Sequence, residues 1–336
     1  MITRKYFFVN IVILTLILLV ISFLSLGVGV VRVNPVKAFK VIFSSSHTGM
    51  KTIIREIRLP RILASIIIGG LLAVSGVLMQ SCLRNPLAEP YILGLSAGAL
   101  TGVWLSLLIS PKYFLLTSFA AFIGALSALC ITLAISSIAG GGVYATILAG
   151  IIVNVFFTGI STILSLIVQA SRHLILVYHP LTGSLSTITW VHVKILALTS
   201  IFIIPIVMLL SKPLNCLLLG EEYVRQVGYN PKLTYYASLI LASLIAAITV
   251  SIAGIIGFIG IIIPHMVRLM YSSDHRVLLP FSFLVGGIVL QLADTVSRIF
   301  PVVVRLSSGE LPVGIIMDVI GAPFFAYVLI KSLRKG

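Results

Sequence analysis

The chain has 336 residues, of which 59% are hydrophobic and 9% charged, with a formal net charge of +15. An ordinary soluble domain carries about 25% charged residues, so no soluble globule could hide this much apolar surface. The basic residues sit in scattered loops instead of one stripe on a folded domain, which excludes nucleic acid and leaves lipid or an acidic protein as the partner of the positive charge.

In chain order, Arg4 and Lys5 lead into an apolar run from Tyr6 to Val31 that flows on into more membrane-like sequence, with no small-residue cleavage site and polar mature domain behind it. It reads as a retained first helix over 7–31. Apolar runs bounded by charge, Pro and Gly predict further helices over 60–81, 91–110, 114–138, 143–169, 190–211, 233–252, 256–271, 278–299 and 312–332. A span needs about 20 apolar residues to cross a hydrocarbon core of about 30 Å. Each must be helical because lipid offers backbone groups no partner, and the alternation of a barrel strand is absent. The expectation is one all-α, polytopic transmembrane bundle of ten spans over residues 1–336, with both termini on one side.

Two polar segments interrupt this pattern. KPLNCLLLGEEYVRQVGYNPK, from Lys212 to Lys232, is too polar to span and carries a short helical stretch between Pro213 and Pro231. The second, Ala170 to Trp190, holds Arg172, His173, His179, Pro180 and a Gly/Ser/Thr cluster, and should lie outside the bilayer or line an aqueous vestibule. Arg4, Lys5, Lys331, Arg334 and Lys335 fit cytoplasmic termini, although Lys and Arg divide almost evenly between the two faces. Either the orientation is reversed or the outer face is basic in order to dock an acidic partner. Lys37, Lys40, Lys51 and Arg55 belong to that outer surplus.

No Gly-rich segment ends in Gly-Lys-Ser or Gly-Lys-Thr, so ATP hydrolysis must come from another chain if it is used. His-Glu-x-x-His does not occur, and Gly-x-Ser-x-Gly occurs once, as Gly94 to Gly98 inside the predicted helix 91–110, without the strand-to-helix turn that a nucleophile elbow needs, so no enzyme activity, cofactor or metal site is expected. Cys82, Cys130 and Cys216 form no disulfide or ligand pattern and read as packing residues. His173, His179 and His192 lack ligand spacing, and His265, after Pro264, reads as structural. The acidic candidates within the spans are Asp294, with Arg298 four residues on at the spacing of a helical ion pair, and Asp318, which would sit under the outer rim or face a protein cavity. Gly69, Gly70 and Gly76, with Ala64, Ser65, Ala73 and Ser75, offer faces for close helix packing.

Five long segments, in order, resemble the FecCD family of importer membrane subunits for iron-siderophore complexes, haem and cobalamin. They are RLPRILASIIIGGLLAVSGVLMQ (Arg58 to Gln80), RNPLAEPYILGLSAGA (Arg84 to Ala99), GEEYVRQVGYN (Gly220 to Asn230), AGIIGFIGIIIPHMVRLM (Ala253 to Met270) and GELPVGIIMDVIGAPFFAYVLIK (Gly309 to Lys331). The resemblance implies a type II ABC importer permease of ten spans in the cell (inner) membrane, paired as a homo- or heterodimer. Its implied partners are two cytoplasmic ATP-binding subunits, an extracytoplasmic substrate-binding protein and membrane lipid. It further implies that Arg58, Arg61 and Arg298 dock the acidic residues of the binding protein, and that Glu221, Glu222, Tyr223, Arg225 and Gln226 form a coupling helix against the ATPase. A Trp common in the family is missing from YHPLTGSLS (Tyr178 to Ser186), and the stretch IFPVVVRLSSGE (Ile299 to Glu310) is longer than the family pattern, leaving Arg298 and Arg305 as alternatives.

The expected cargo is an iron(III)-siderophore, with cobalamin or haem as alternatives. The alternative from another class is a proton-coupled secondary transporter that would depend on Asp294 or Asp318.

Overall fold

The structure, a computed structural model, describes residues 4–29, 31, 33–43, 49–109, 114–172, 182–304 and 310–333. The predicted segments His173, His179, Pro180, Arg305, Arg334 and Lys335 lie outside the described residues. Helices α1 (Arg4–Gly27), α2 (Pro35–Phe43) and α3 (Gly49–Thr52) open the chain. A π-helical turn over Ile53–Arg58 then joins α3 to α4 (Leu59–Cys82), so that Gly49–Cys82 is one continuous rod. The extra residue per turn of a π segment is a local device that often accompanies function.

Next come α5 (Leu95–Ile109), α6 (Phe114–Ile138), α7 (Gly142–Arg172), α8 (Trp190–Leu209), α9 (Ser211–Leu218) and α10 (Glu221–Gln226). The chain closes with α11 (Pro231–Ala253), α12 (Ile259–Met270), α13 (His275–Val304) and α14 (Val313–Leu333). Local signals set several of these starts. Asn230 caps α11 by accepting from Leu233 N–H at 3.2 Å, with Pro231 in the first turn. Thr189 and His192 form a reciprocal capping box at α8.

All ten predicted spans are helical, but they are not equal. Seven are long and apolar enough to cross a membrane, and the apolar helices at 95–109, 259–270 and 313–327 are shorter. Two expectations change accordingly. The span expected over 91–110 begins only at Leu95, after a 3-10 turn over Pro90–Leu93 that ends on Gly94 in the left-handed region. The span expected over 256–271 is the 12-residue α12, which at 1.5 Å per residue covers about 18 Å, roughly half the core.

The reason for the second change lies between α11 and α12. Gly254 (φ +75°) and Phe258 (φ +65°) turn the backbone out of the helix, freeing carbonyls inside the bundle. Residues 182–184 come back to meet them: Gly183 N–H donates to Ile255 O at 2.8 Å and Ser184 N–H to Ala253 O at 2.7 Å. Gly314 N–H, on the first turn of α14, donates in turn to Gly183 O at 2.9 Å. Irregular backbone at membrane depth is tolerated only when it is satisfied in this way. The small bridge between Thr182 and Ile255 is the sole strand-like pairing among the described residues.

Burial decides which helices are central. Of the apolar stretch of α4, 83% is buried, against 11% for α1 and 22% for α7, so α4 forms the core with α11 and α13 while α1, α7 and α8 face outward. Small residues make this possible. A Cβ on Gly69 would lie 2.3 Å from Gly286 O, and one on Gly76 would lie 1.9 Å from Gly260 O, so α4 meets α13 and α12 backbone to backbone. The glycines singled out in the sequence are packing glycines.

Candidate functional site

The two groups of candidate residues lie at opposite ends of α4, a helix of 24 residues and about 36 Å. Its first turn carries Arg61, and the π turn ahead of it carries Arg58. The last turns of α13 bring Asp294 and Arg298 to the same end, where the close of α1 and the start of α14 also arrive.

The three arginines converge, yet all are buried: Arg58 is 5%, Arg61 4% and Arg298 2% exposed. Arg61 Nε donates to Asp294 Oδ1 at 2.8 Å, and its Nη1 pairs closely with Glu310. Arg298 Nε lies 3.2 Å from Asp294 Oδ2, the ion pair that the four-residue spacing predicts. That oxygen has no aligned donor, so the contact is ionic more than hydrogen-bonded. The remaining Arg298 donors reach Ser25 Oγ and the carbonyl of Val28 at 3.0 Å. Arg58 Nη1 donates to Leu26 O at 2.6 Å, and Nη2 donates to Val31 O.

Thus Asp294, fully buried, sits between two guanidiniums, while Arg58 and Arg298 also hold carbonyls freed at the C-terminal end of α1. A helix end leaves about four carbonyls without partners, and cations near it are favoured by the helix dipole. Glu310 differs from the rest, because its side chain is 30% exposed and reaches the buried Arg61 from the rim. Sequence reading missed Glu310 as a member of this group. Its partner is 249 residues away, and local spacing carries no trace of it.

At the other end, α9 and α10 form the predicted polar connection, broken at Gly220 (φ +119°). In α10, Glu221, Glu222, Tyr223, Arg225 and Gln226 all face outward, and Val224 alone is buried. The helix is therefore pinned by one apolar residue and leaves five polar side chains free of the bundle. Arg84, after α4, lies 3.9 Å from Glu221, an exposed contact of little energetic weight.

The other candidates stand apart from both groups. Asp318 is exposed on α14, with its carboxylate beside Gly257 at the break before α12. His265 lines a small recess with Pro86, Leu87 and Phe324. No cluster of three metal-ligating side chains exists among the described residues. Cys82, Cys216 and Cys130 are free thiols, respectively buried, half-buried and exposed.

A sequence profile of the FecCD transport family matches residues 17–331. The chain belongs to the FecCD family. It is 37% identical, over 83% of its own length and 73% of the relative's, to the cobalamin import system permease BtuC of Halobacterium salinarum. It is 32% identical, over 96% and 95%, to the permease IsdF of Staphylococcus aureus, assigned to heme-iron transport. A solved transporter assigned to the metal-chelate type of ABC transporter, in an inward-facing conformation, matches with a TM-score of 0.81 and 28% identity, covering 96% of this chain and 99% of that one. The FecCD chain described here is thus a multi-pass ABC importer permease, a transport component and not an enzyme, and the proton-coupled carrier reading falls away.

Proposed function

We propose that this chain is half of a permease dimer in the cell membrane that takes a metal chelate from an extracytoplasmic binding protein and passes it inward when two ATPase subunits close beneath it. The observation that carries this reading is α10: a short helix following Gly220, with Val224 as its one buried residue and Glu221, Glu222, Tyr223, Arg225 and Gln226 presented outward. Such a helix can move as a unit when a partner grips it, and its mixed charges suit a groove on a protein more than lipid. Placing α10 in the cytoplasm puts both termini there and Arg61 at the outer surface.

At that outer end, Arg61 is the docking residue of the three arginines, with Arg58 and Arg298 setting the potential behind it. Glu310 already shows how a carboxylate approaches Arg61 from the rim, and an acidic residue of the binding protein would take its place. Guanidinium suits this exchange because its planar fork accepts carboxylates in one orientation. Exposed Lys37, Lys40 and Arg55 nearby in sequence add steering.

The cargo we propose is a ferric siderophore. The named relatives handle cobalamin, heme iron and metal chelates, all bulky ligands wrapped around a metal. The exposed face of α7 is largely apolar, with Leu148, Val155 and Phe156, and that of α14 carries Val319 and Ile320 beside the single carboxylate of Asp318, as suits a weakly binding path or contact with a second subunit. The test is to purify the chain from its native membrane in mild detergent, identify copurifying proteins and measure ATP hydrolysis. The recovered binding protein is then titrated with a ferric hydroxamate, haem and cobalamin. Recovery of the chain alone in lipid nanodiscs, without ATPase activity, would overturn the proposal.

A further inference from the structure

The end of the bundle that carries α10 also holds a buried polar chain that none of the roles above uses. His275, the first residue of α13, is fully buried. Its backbone N–H donates to Asn215 Oδ1 at 2.9 Å, and its ring Nδ1 lies 2.7 Å from the same oxygen. Asn215 Nδ2 in turn donates to Asp274 Oδ1 at 2.7 Å, so the amide has one consistent orientation and Nδ1 carries a hydrogen. On the other side of the ring, Nε2 is therefore the acceptor, 2.6 Å from the Ser81 hydroxyl, whose alternative acceptor is Val77 O at 2.7 Å.

Three elements meet in this one imidazole. Asn215 belongs to α9, which runs through Gly220 directly into α10. Ser81 belongs to the last turn of α4, and His275 opens α13. Leu214 and Leu217 also hold α9 against the bundle, but apolar contact is non-directional. The hydrogen bonds are directional, weakening steeply off axis, and they fix the register of α9 on the two helices.

Those helices behave as a unit. Gly69 and Gly286 bring α4 and α13 into backbone contact midway, and Phe283 lies against Gly70. At the far end Arg61 and Asp294 join the same pair. A strut tied at both ends and through its middle moves as a whole, since packed interiors deform little.

We propose that His275 is a positioning residue of the transport cycle, transmitting movement of α10 through Asn215 and Ser81 to the α4–α13 strut. This rests on the reading of α10 as the helix that docks the ATPase. Physical intermediacy alone does not demonstrate coupling, so the test must read movement and not folding.

The experiment uses the permease–ATPase complex in nanodiscs, with the native cysteines replaced and a nitroxide on a cysteine introduced at Val296, on an exposed face of α13. Its spectrum is compared without nucleotide and after trapping with ATP and vanadate, in the otherwise wild-type background and in N215A, S81A and H275A. The expected result is a wild-type spectrum without nucleotide, retained basal ATP hydrolysis, and loss of the nucleotide-dependent spectral change in N215A and S81A. A packing role alone would instead alter the nucleotide-free spectrum and the melting temperature. If H275A fails to assemble, the other two variants decide. An assembled complex whose N215A and S81A forms respond like wild type overturns the inference alone; a wild-type chain that binds no ATPase overturns the reading of α10 and the inference with it.

Discussion

Replacing Asp294 by Asn tests the buried charge cluster most directly, because it removes one charge and almost no volume. Asp294 is fully buried and pairs with Arg61 at 2.8 Å and Arg298 at 3.2 Å. Asn keeps an oxygen to accept from Arg61 Nε, so the loss is chiefly electrostatic: Arg61 then keeps only the Glu310 carboxylate, and Arg298 is left without a paired carboxylate. Removing one partner of a buried pair destabilises by about 3–5 kcal/mol, and the retained hydrogen bond puts this variant near about 3 kcal/mol on that scale. E310Q is the internal control. Its side chain is 30% exposed, and pairs open to solvent are worth about 0–1 kcal/mol. Unfolding in mixed micelles of rising SDS fraction, followed by the fluorescence of Trp104 and Trp190, measures both. The double variant D294N/R298Q should recover part of the loss, since it removes the uncompensated cation along with the carboxylate. If D294N unfolds no earlier than E310Q, the cluster is not the electrostatic lock described here.

Other expectations follow from exposure and contact. Reversing charge at Glu221 and Glu222 together, or at Arg225, should abolish copurification of the ATPase while leaving the unfolding midpoint of the isolated chain within about 0.5 kcal/mol of wild type, as expected of exposed positions. Gly76→Ala should destabilise by about 1–3 kcal/mol, because the new methyl would lie 1.9 Å from Gly260 O. Gly159→Ala, which meets nothing within 4 Å, should be neutral in the same unfolding assay. Glu310→Ala should raise the affinity of the chain for its binding protein, measured by surface binding in nanodiscs, because it vacates Arg61 without unfolding the cluster; weaker binding would make Glu310 part of the docking surface itself. Asp318→Asn should leave ATP-driven uptake intact, whereas a proton-coupled carrier would lose transport.

The bundle was legible because its strongest physical demand is local. Lipid requires each span to satisfy its own backbone, and runs such as 114–138 announce this by composition alone; α6 occupies that same range. The ends of spans were less legible where tertiary contacts replace local signals. The polypeptide leaves α11 at Gly254, and only the return of residues 182–184, about 70 positions earlier, makes that break tolerable. Periodicity could therefore promise a full span over 256–271 where half of one exists. The Asp294–Arg298 pair was readable because one helical turn joins it, while Arg61–Glu310 and Asn215–His275 join elements far apart in sequence and left no mark in it.

This difference changes how the three arginines are understood. Read from the sequence, three arginines near one end of the bundle are three free forks for a partner's carboxylates. In the folded chain each is already engaged, and they differ in what holds them: Arg58 by backbone carbonyls, Arg298 by carbonyls and Asp294, and Arg61 by Asp294 and the partly exposed Glu310. A partner that displaced Arg58 or Arg298 would leave helix-end carbonyls of α1 unsatisfied inside the packed bundle, where each orphaned group costs about 1–3 kcal/mol or more. Displacing Glu310 returns a carboxylate to the water it already touches and gives Arg61 another in its place. Under the proposed docking, the exchange at Arg61 is close to even, so recognition there would be specific without being tight, as a binding protein released in each cycle would require.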